Sequence, residues 1–404
     1  MPAVPLFAMT ARAADRLAFD QALTLYRDGS LNDLAARAAQ AARRLHGDRV
    51  RTYVIERNIN YTNVCLCRCR FCAFSVSPGD PRAYVLTPDQ IAAKVEPLLA
   101  LGGTQVLLQG GFHPDLPLAW YEDLLADLKD RFPDLHLHAF SPPEIVFLAR
   151  RFELPVPRLL ERLRSAGLDS LPGGGAEILV DRVRRLVSPA KCSADEWLDV
   201  MRHAHRLGIY TTATMMFGHL ETLAERLTHL DRLRRLQDES LCCRDQDPSR
   251  GCFTAFCAWP FQPGNTALVR EAPPTDCPAQ TERPAPAPSA SRPPARPVLA
   301  GAYECLRLVA LARLYLDNLP NIQSPWVTEG PKIGQLALHF GCNDFGSLMM
   351  EENVVAAAGA TSRLPLRQLR HLIRLAGFVP VQRDYYYRWL EPPTPPFFQE
   401  TPPP

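Results

Sequence analysis

Four cysteines fall within eight residues of the stretch NYTNVCLCRCRFCAF, which runs from Asn60 to Phe74. Cys65, Cys69 and Cys72 have the spacing C-x3-C-x2-C, and Cys67 stands between the first two. Thiolates are soft ligands and suit iron–sulfur clusters, zinc or copper. A closed structural zinc site takes four ligands, usually as two separated pairs. Here three crowd one loop, and the chain has no second C-x2-C pair. A cubane cluster is normally held by four thiolates, so three leave one iron open. An open metal position points to chemistry at the metal, by the logic that separates catalytic from structural zinc. C-x-C spacing fits a cubane less well, so Cys67 reads as a spectator, with alternative ligand and oxidation target as the other readings. Zinc or a reactive thiol patch is the competing account of the whole cluster. Cys192, Cys305 and Cys342 stand alone among apolar or helical neighbours and read as small buried hydrophobes.

The elements that must position this loop follow a rhythm. Residues 1–50 read as a helical layer, with Ser30 and Asp33 at capping-box spacing and Leu31, Leu34, Ala38, Ala41 and Leu45 at helical spacing. From Arg51, β-rich segments alternate with amphipathic ones. The strand candidates are TYVIER, TQVLLQ, LHLHAF, LDSL, YTTATMMF, FTAFCAW, NIQSPWV and QLALHF. Helices are expected near Pro88–Leu101, Trp120–Arg131, Pro157–Ala166, Ala194–Leu207, Ala224–Glu239 and Ala302–Leu316. Eight strands with helical crossovers predict an α/β fold, a parallel (β/α)8 barrel of the TIM type. Polar and glycine-rich stretches follow the strands: the cysteine loop, QGGFHP, SPPE, PGGGAE, GHLE, PFQPGN and GCNDFG. A barrel gathers such loops around one catalytic mouth.

The barrel is expected over 51–346, with a cysteine-rich insertion at 239–252 and a disordered proline-rich one at 272–298. A C-terminal extension of two helices and a short strand, QRDYYYRW, is expected over 347–391, and a disordered tail over 392–404. Hydrophobic residues are 47% and charged residues 22% of 404, which fits a globular protein. The net charge of +2 argues for neither nucleic acid nor an anionic membrane surface. No apolar run approaches the ~20 residues that span a bilayer. With no signal-peptide pattern, the twelve cysteines point to metal or redox chemistry and a cytoplasmic location.

The cysteine spacing, with Phe71 before the last cysteine, resembles that of the radical S-adenosylmethionine enzymes. The resemblance implies a 4Fe–4S cluster on Cys65, Cys69 and Cys72, with its open iron chelating S-adenosylmethionine. It implies Phe71 and Met216 near the adenine, Gln109, Gly110 and Gly111 as a backbone edge for the amino group, and Glu177 on the ribose hydroxyls. Over nearly the whole chain, stretches such as RNINYTNVC, WPFQPGNT, SPWVTEGPK and GCNDFG are similar to the dehypoxanthine futalosine cyclases of menaquinone biosynthesis. Aminofutalosine synthases and deazaflavin synthases are the sister alternatives, and a non-enzymatic zinc or iron–sulfur module is the reading from another class. Cys67, Cys342, Leu348 and the two insertions depart from the family pattern.

The implied reaction takes the ribose C4′ hydrogen of dehypoxanthine futalosine and joins that carbon to the benzoate ring. A reductase such as flavodoxin or ferredoxin is the implied partner. His219, Glu221 and His113 are the candidate bases. Gln262, Asn265 and Asn343 are candidate substrate ligands, with Arg383 as a carboxylate partner and Asp344 orienting a neighbour. Trp259 and Trp326 are expected to wall the cavity, and the mouth loops and C-terminal helices to close it.

Overall fold

A computed structural model describes residues 16–272 and 296–393. The rest of the expected N-terminal layer, nearly all of the proline-rich insertion and most of the expected tail lie outside the described residues. Ten strands form one sheet: β1 (Val50–Val54), β2 (Glu56–Asn60), β3 (Gln105–Gln109), β4 (His136–Ala139), β5 (Ser170–Leu171), β6 (Tyr210–Phe217), β7 (Phe253–Pro260), β8 (Asn321–Gln323), β9 (Asp344–Ser347) and β10 (Val379–Gln382). The order is β10-β1-β9-β8-β7-β6-β5-β4-β3-β2, and every pairing is parallel.

β1 and β2 are one run of chain interrupted at Ile55. β2 pairs with β3 and β1 pairs with β9. Beyond β9, Leu348 N–H donates to the Val54 carbonyl at 2.8 Å and Met350 N–H to that of Glu56 at 3.3 Å. The run Val50–Asn60 is therefore the stave that closes the curled sheet. β10 lies beside β1 as an added strand.

Side chains of a strand alternate between its faces. On the run Ile55–Asn60, Ile55 and Ile59 join the core under the helices, while Glu56, Asn58 and Asn60 face inward. Gln105 and Gln109 of β3, His138 of β4 and Thr212 and Thr214 of β6 do the same. A small barrel is usually plugged by branched apolar side chains. This one has a polar interior around a cavity.

The outer helices start where local chemistry dictates. Ser30, Thr87, Ser193 and Thr222 each accept the N–H of the residue three further on. The first helices, Phe19–Asp28 and Leu31–His46, form the expected layer: Leu34 and Ala38 pack on Ala310 of the helix Ala302–Tyr315.

The last stave differs from the sequence expectation. QLALHF is not a strand. The helix Pro331–Ala337 and a turn occupy it, and the strand is Asp344–Ser347, inside the expected loop GCNDFG. A short apolar run is ambiguous between periods, and Gly330-Pro331 is a helix start. NIQSPWV is a strand only to Gln323, and Trp326–Glu329 is a helical turn. The cysteine-rich stretch is not an inserted loop at its start, because the helix Leu223–Gln246 runs through it. In the C-terminal extension the strand is VPVQ rather than QRDYYYRW. It takes an edge position, where Pro380 removes no needed donor.

Arg383 fastens that extension to the last stave. Its Nε lies 2.5 Å from Asp344 Oδ2 and its Nη2 3.2 Å from Oδ1, with both side chains buried. Asp344 also accepts the Thr52 hydroxyl at 2.6 Å and the Gly346 N–H at 2.7 Å. Removing one partner of a buried pair strands the other charge at about 3–5 kcal/mol. Arg383→Met is expected to lower the unfolding free energy by about that amount, read as a lower urea midpoint. Arg383→Lys is expected to recover only part, because an ammonium does not reproduce the two-pronged contact.

Candidate functional site

The cysteine loop is clamped at its base by the residues that precede it. Thr62 Oγ1 donates to the Tyr84 carbonyl at 2.6 Å, and Asn63 Nδ2 to that of Arg82 at 2.9 Å. Asn63 Oδ1 accepts the Tyr84 N–H at 3.0 Å. Backbone bonds from Cys65 to Val76 and from Leu66 to Phe112 fix the loop above β3. Its side chains then alternate. Cys65, Cys67, Cys69, Phe71 and Cys72 line the cavity, while Leu66 and Arg68 are exposed.

The glycines of QGG let this loop sit down. A Cβ on Gly110 would fall 2.3 Å from the Tyr61 ring, and one on Gly111 2.1 Å from the Val64 carbonyl oxygen. Tyr61 donates its hydroxyl to Glu144 Oε1 at 2.7 Å, and Gly110 N–H reaches the same oxygen at 3.1 Å. Gln109 lines the cavity beside Gly174.

Cys65 Sγ accepts two backbone N–H groups, from Phe112 at 3.3 Å and Cys67 at 3.4 Å. Burial pushes its thiol up, and those donors pull it back. Lys191, which sequence reading missed, brings a buried ammonium to the same wall. Its Nζ lies 2.6 Å from Glu177 Oε1 and 5.0 Å from the centre of the Phe71 ring. Burial works against the Glu177 carboxylate, but Lys191 and Arg184 hold it below the usual range. Lys191 sits in the loop before the helix Ala194–Arg206, away from any strand end, so the barrel rhythm gave no signal for it.

Do these residues suit a cubane? Four thiols, those of Cys65, Cys67, Cys69 and Cys72, open onto one cavity, a cation faces them, and a side-chain-free edge lies beneath. Among the described residues, no three His, Cys, Asp or Glu side chains converge as they would around a single ion. A cubane puts its thiolates on separate irons, and soft thiols opening onto one cavity are the donors it takes.

The cavity holds about 410 Å³ and runs from the cysteines to a polar floor. Trp259, Phe261, Gln262, Pro325 and Trp326 wall it, with Met216 among them. On the floor, Gln105 Nε2 donates to Glu56, and Asn58 Nδ2 donates to Glu352 Oε2 at 3.0 Å. His138, Gln323, Arg383, Tyr385 and Tyr387 complete it. Burial raises both the Glu56 and the Glu352 carboxyl, and lowers His138 well below its ordinary value. Sequence reading missed Glu56, Asn58 and Glu352.

Several expected site residues lie elsewhere. Glu221 accepts the N–H groups of Gly218 and His219 at 2.6 and 3.0 Å and pairs with Arg226 at 2.8 Å. Burial opposes its charge, yet Arg226 and the Gly218 N–H hold it down to about 2. It is a turn's internal carboxylate, not a base facing the cavity. His219 is fully engaged too: Nδ1 accepts the Leu220 N–H at 2.8 Å, and Nε2 bonds the Met216 carbonyl at 3.0 Å. It thereby ties the turn back to Met216 near the end of β6. His113 takes the Asp115 N–H at the rim, outside the cavity lining. Asn343 is a latch between staves, bonded to Arg313, Ile322 and Asn321. Asn265 is exposed, donating to the Ala357 carbonyl at 3.0 Å. Of the expected substrate ligands, Gln262 alone lines the cavity. Arg383 reaches it as well, with its guanidinium already bound to Asp344.

Residues 59–233 match the Radical SAM superfamily, and residues 296–395 match the CofH/MqnC C-terminal region. Cyclic dehypoxanthine futalosine synthase of Halalkalibacterium halodurans is 41% identical, covering 92% of this chain and 91% of its own. The 5-amino-6-(D-ribitylamino)uracil–L-tyrosine 4-hydroxyphenyl transferase of Methanopyrus kandleri is 40% identical over 87% of each. Aminodeoxyfutalosine synthase of Thermus thermophilus is 38% identical over 92% of each. The crystal structure of methylornithine synthase superposes with a TM-score of 0.62 over 90% of this chain and 94% of that one, at 17% identity, a likeness of fold alone. The chain belongs to the radical SAM superfamily, in the family that carries the CofH/MqnC C-terminal region and includes cyclic dehypoxanthine futalosine synthase.

Proposed function

We propose that this protein is a cytoplasmic radical SAM enzyme that cyclises dehypoxanthine futalosine in menaquinone biosynthesis, with a reductase of the flavodoxin or ferredoxin class as electron donor. The three relatives are too close in identity to choose between their activities. One observation carries the choice. The stretches that most resemble the cyclases, WPFQP, SPWVTEGPK and GCNDFG, are the ones that wall the cavity, through Trp259, Phe261, Gln262, Ser324, Trp326 and Gly346.

Cys65, Cys69 and Cys72 would hold a 4Fe–4S cluster, and Gly110, Gly111, Glu177 and Met216 would cradle S-adenosylmethionine. When bound, the pair would supply radical abstraction of the C4′ hydrogen and an acceptor for the electron released as the ring regains aromaticity. The chain supplies the rest. Trp259, Phe261 and Trp326 exclude water around the reacting carbons. A base takes the proton that the benzoate ring loses. Glu352 spends Oε1 on the N–H groups of Val354 and Val355 and Oε2 on Asn58. Glu56 is bound by two neutral side chains, the Gln105 amide and the Ser347 hydroxyl, and the role is assigned to it.

Anaerobically reconstituted protein, given dithionite, S-adenosylmethionine and dehypoxanthine futalosine, is expected to form 5′-deoxyadenosine and a product two hydrogens lighter in equal amounts. 5′-Deoxyadenosine without that product refutes the substrate assignment and leaves the cluster reading standing. Alanine at Cys65, Cys69 or Cys72 is expected to abolish the brown absorption of the reconstituted protein. Glu56→Gln is expected to lower product formation by about 100-fold, the low end for loss of a general base, while 5′-deoxyadenosine continues to appear. Only ionised Glu56 accepts a proton, and burial raises its pKa. Turnover is therefore expected to rise with pH through a limb above the ordinary glutamate range, and Glu56→Gln to flatten that limb.

A further inference from the structure

We propose that Cys67 and Cys69 close into a reversible disulfide in the cluster-free chain, a modification site that withholds one cluster ligand until it is reduced. The proposal rests on Cys69 being a ligand, as read above.

The geometry favours this pair. The two Sγ atoms lie 3.5 Å apart on the cavity side of the loop. Residues two apart on an extended chain point the same way with Cα atoms about 6.6 Å apart, at the far end of the 4.4–6.8 Å that a disulfide takes. Between them Arg68 has φ of 48°, a left-handed conformation that is costly for arginine and that curls the chain inward. That curl brings the two thiols together. Cys65 is held differently, since its sulfur is tied by two backbone N–H groups to the floor of the loop. Both Cys67 and Cys69 line the cavity and are reached by a disulfide oxidant through its open mouth, neither being exposed at the outer surface.

The exchange balances with a disulfide oxidant such as oxidised glutathione. One protein thiolate attacks a glutathione sulfur, giving a mixed disulfide and one glutathione thiol. The second thiol displaces the other glutathione. Two protein thiols lose two electrons, one glutathione disulfide gains them, and the two thiol protons leave on the two glutathiones. A cluster on Cys69 excludes this bond, and the bond excludes the cluster. The disulfide also keeps Cys69 off the irreversible rungs of sulfur oxidation.

The test uses the full chain, freed of iron and handled without oxygen, then treated with excess oxidised glutathione. Wild type is expected to lose two titratable thiols and two mass units. Peptide mapping should place the link between Cys67 and Cys69. Iron and sulfide loading should fail until a dithiol reductant is added. Cys67→Ala is expected to load its cluster after the same treatment. A link mapped to Cys69–Cys72, a stable glutathione adduct, or wild type that loads iron as well after treatment as before would overturn the proposal. So would Cys67→Ala failing to load without oxidation, which would make Cys67 a ligand. None of these readouts uses turnover, so the proposal stands or falls apart from the cyclase reading.

Discussion

The mouth of the barrel hangs on one buried carboxylate. Glu144 accepts the Tyr61 hydroxyl and the Gly110 N–H on Oε1, and the Ser141 N–H and hydroxyl on Oε2, all within 3.1 Å. Burial pushes its carboxyl up, and those four donors pull back. An ion buried without partners is expelled or neutralised, so such a group persists only when nearly every lone pair is met. Here the donors come from the ends of three neighbouring staves. Tyr61 opens the cysteine loop, Gly110 begins the glycine edge, and Ser141 caps the helix after β4. One side chain thus fixes where the cysteines sit relative to the edge below them.

That anchoring matters because the barrel is hollow. A plugged barrel derives rigidity from packed apolar layers, and this one has traded those layers for a cavity. The polar interior is held by pairs that span staves: Gln105 of β3 on Glu56 of β2, Asn58 of β2 on Glu352, and Arg383 on Asp344 of β9. The C-terminal segment is part of this scheme. β10 stands against β1, and the tyrosines that follow it, Tyr385 and Tyr387, form part of the cavity floor.

How much of this was legible in the sequence follows from the range of each signal. The cysteine spacing and the strand–helix rhythm are local patterns, and the structure follows the rhythm from β1 through β7. QGG was legible as a glycine edge, though its steric reason, the Tyr61 ring and the Val64 carbonyl, needed coordinates. The base candidates failed for an instructive reason. Gly218 to Glu221 does follow a strand, but Glu221 caps its own turn and meets Arg226, a residue on the next helix. Glu56 and Asn58 were hidden because polar residues alternating on a strand usually face water, and only closure of the sheet turns that face inward. Lys191 belongs to a loop whose position depends on the packing of two helices. QLALHF misled because its apolar residues satisfy both periods, and the true stave is four residues centred on a glycine bend.

The charges lining the cavity show what kind of site this is. Lys191 is matched by Glu177, Arg383 by Asp344, and Glu352 by Asn58 and two backbone N–H groups. Each is therefore held in place before any substrate arrives, and none has to shed a partner during reaction. Preorganised dipoles cost nothing to reorient when charge develops. A radical intermediate is most at risk while surrounding groups rearrange, so a cavity with fixed polar walls and indole flanks suits it. Glu56 is the exception, a raised carboxyl met by two neutral donors, the Gln105 amide and the Ser347 hydroxyl, with Arg383 acting on it from its pair with Asp344. In a wall of paired groups, the least satisfied one is where a proton is most easily received.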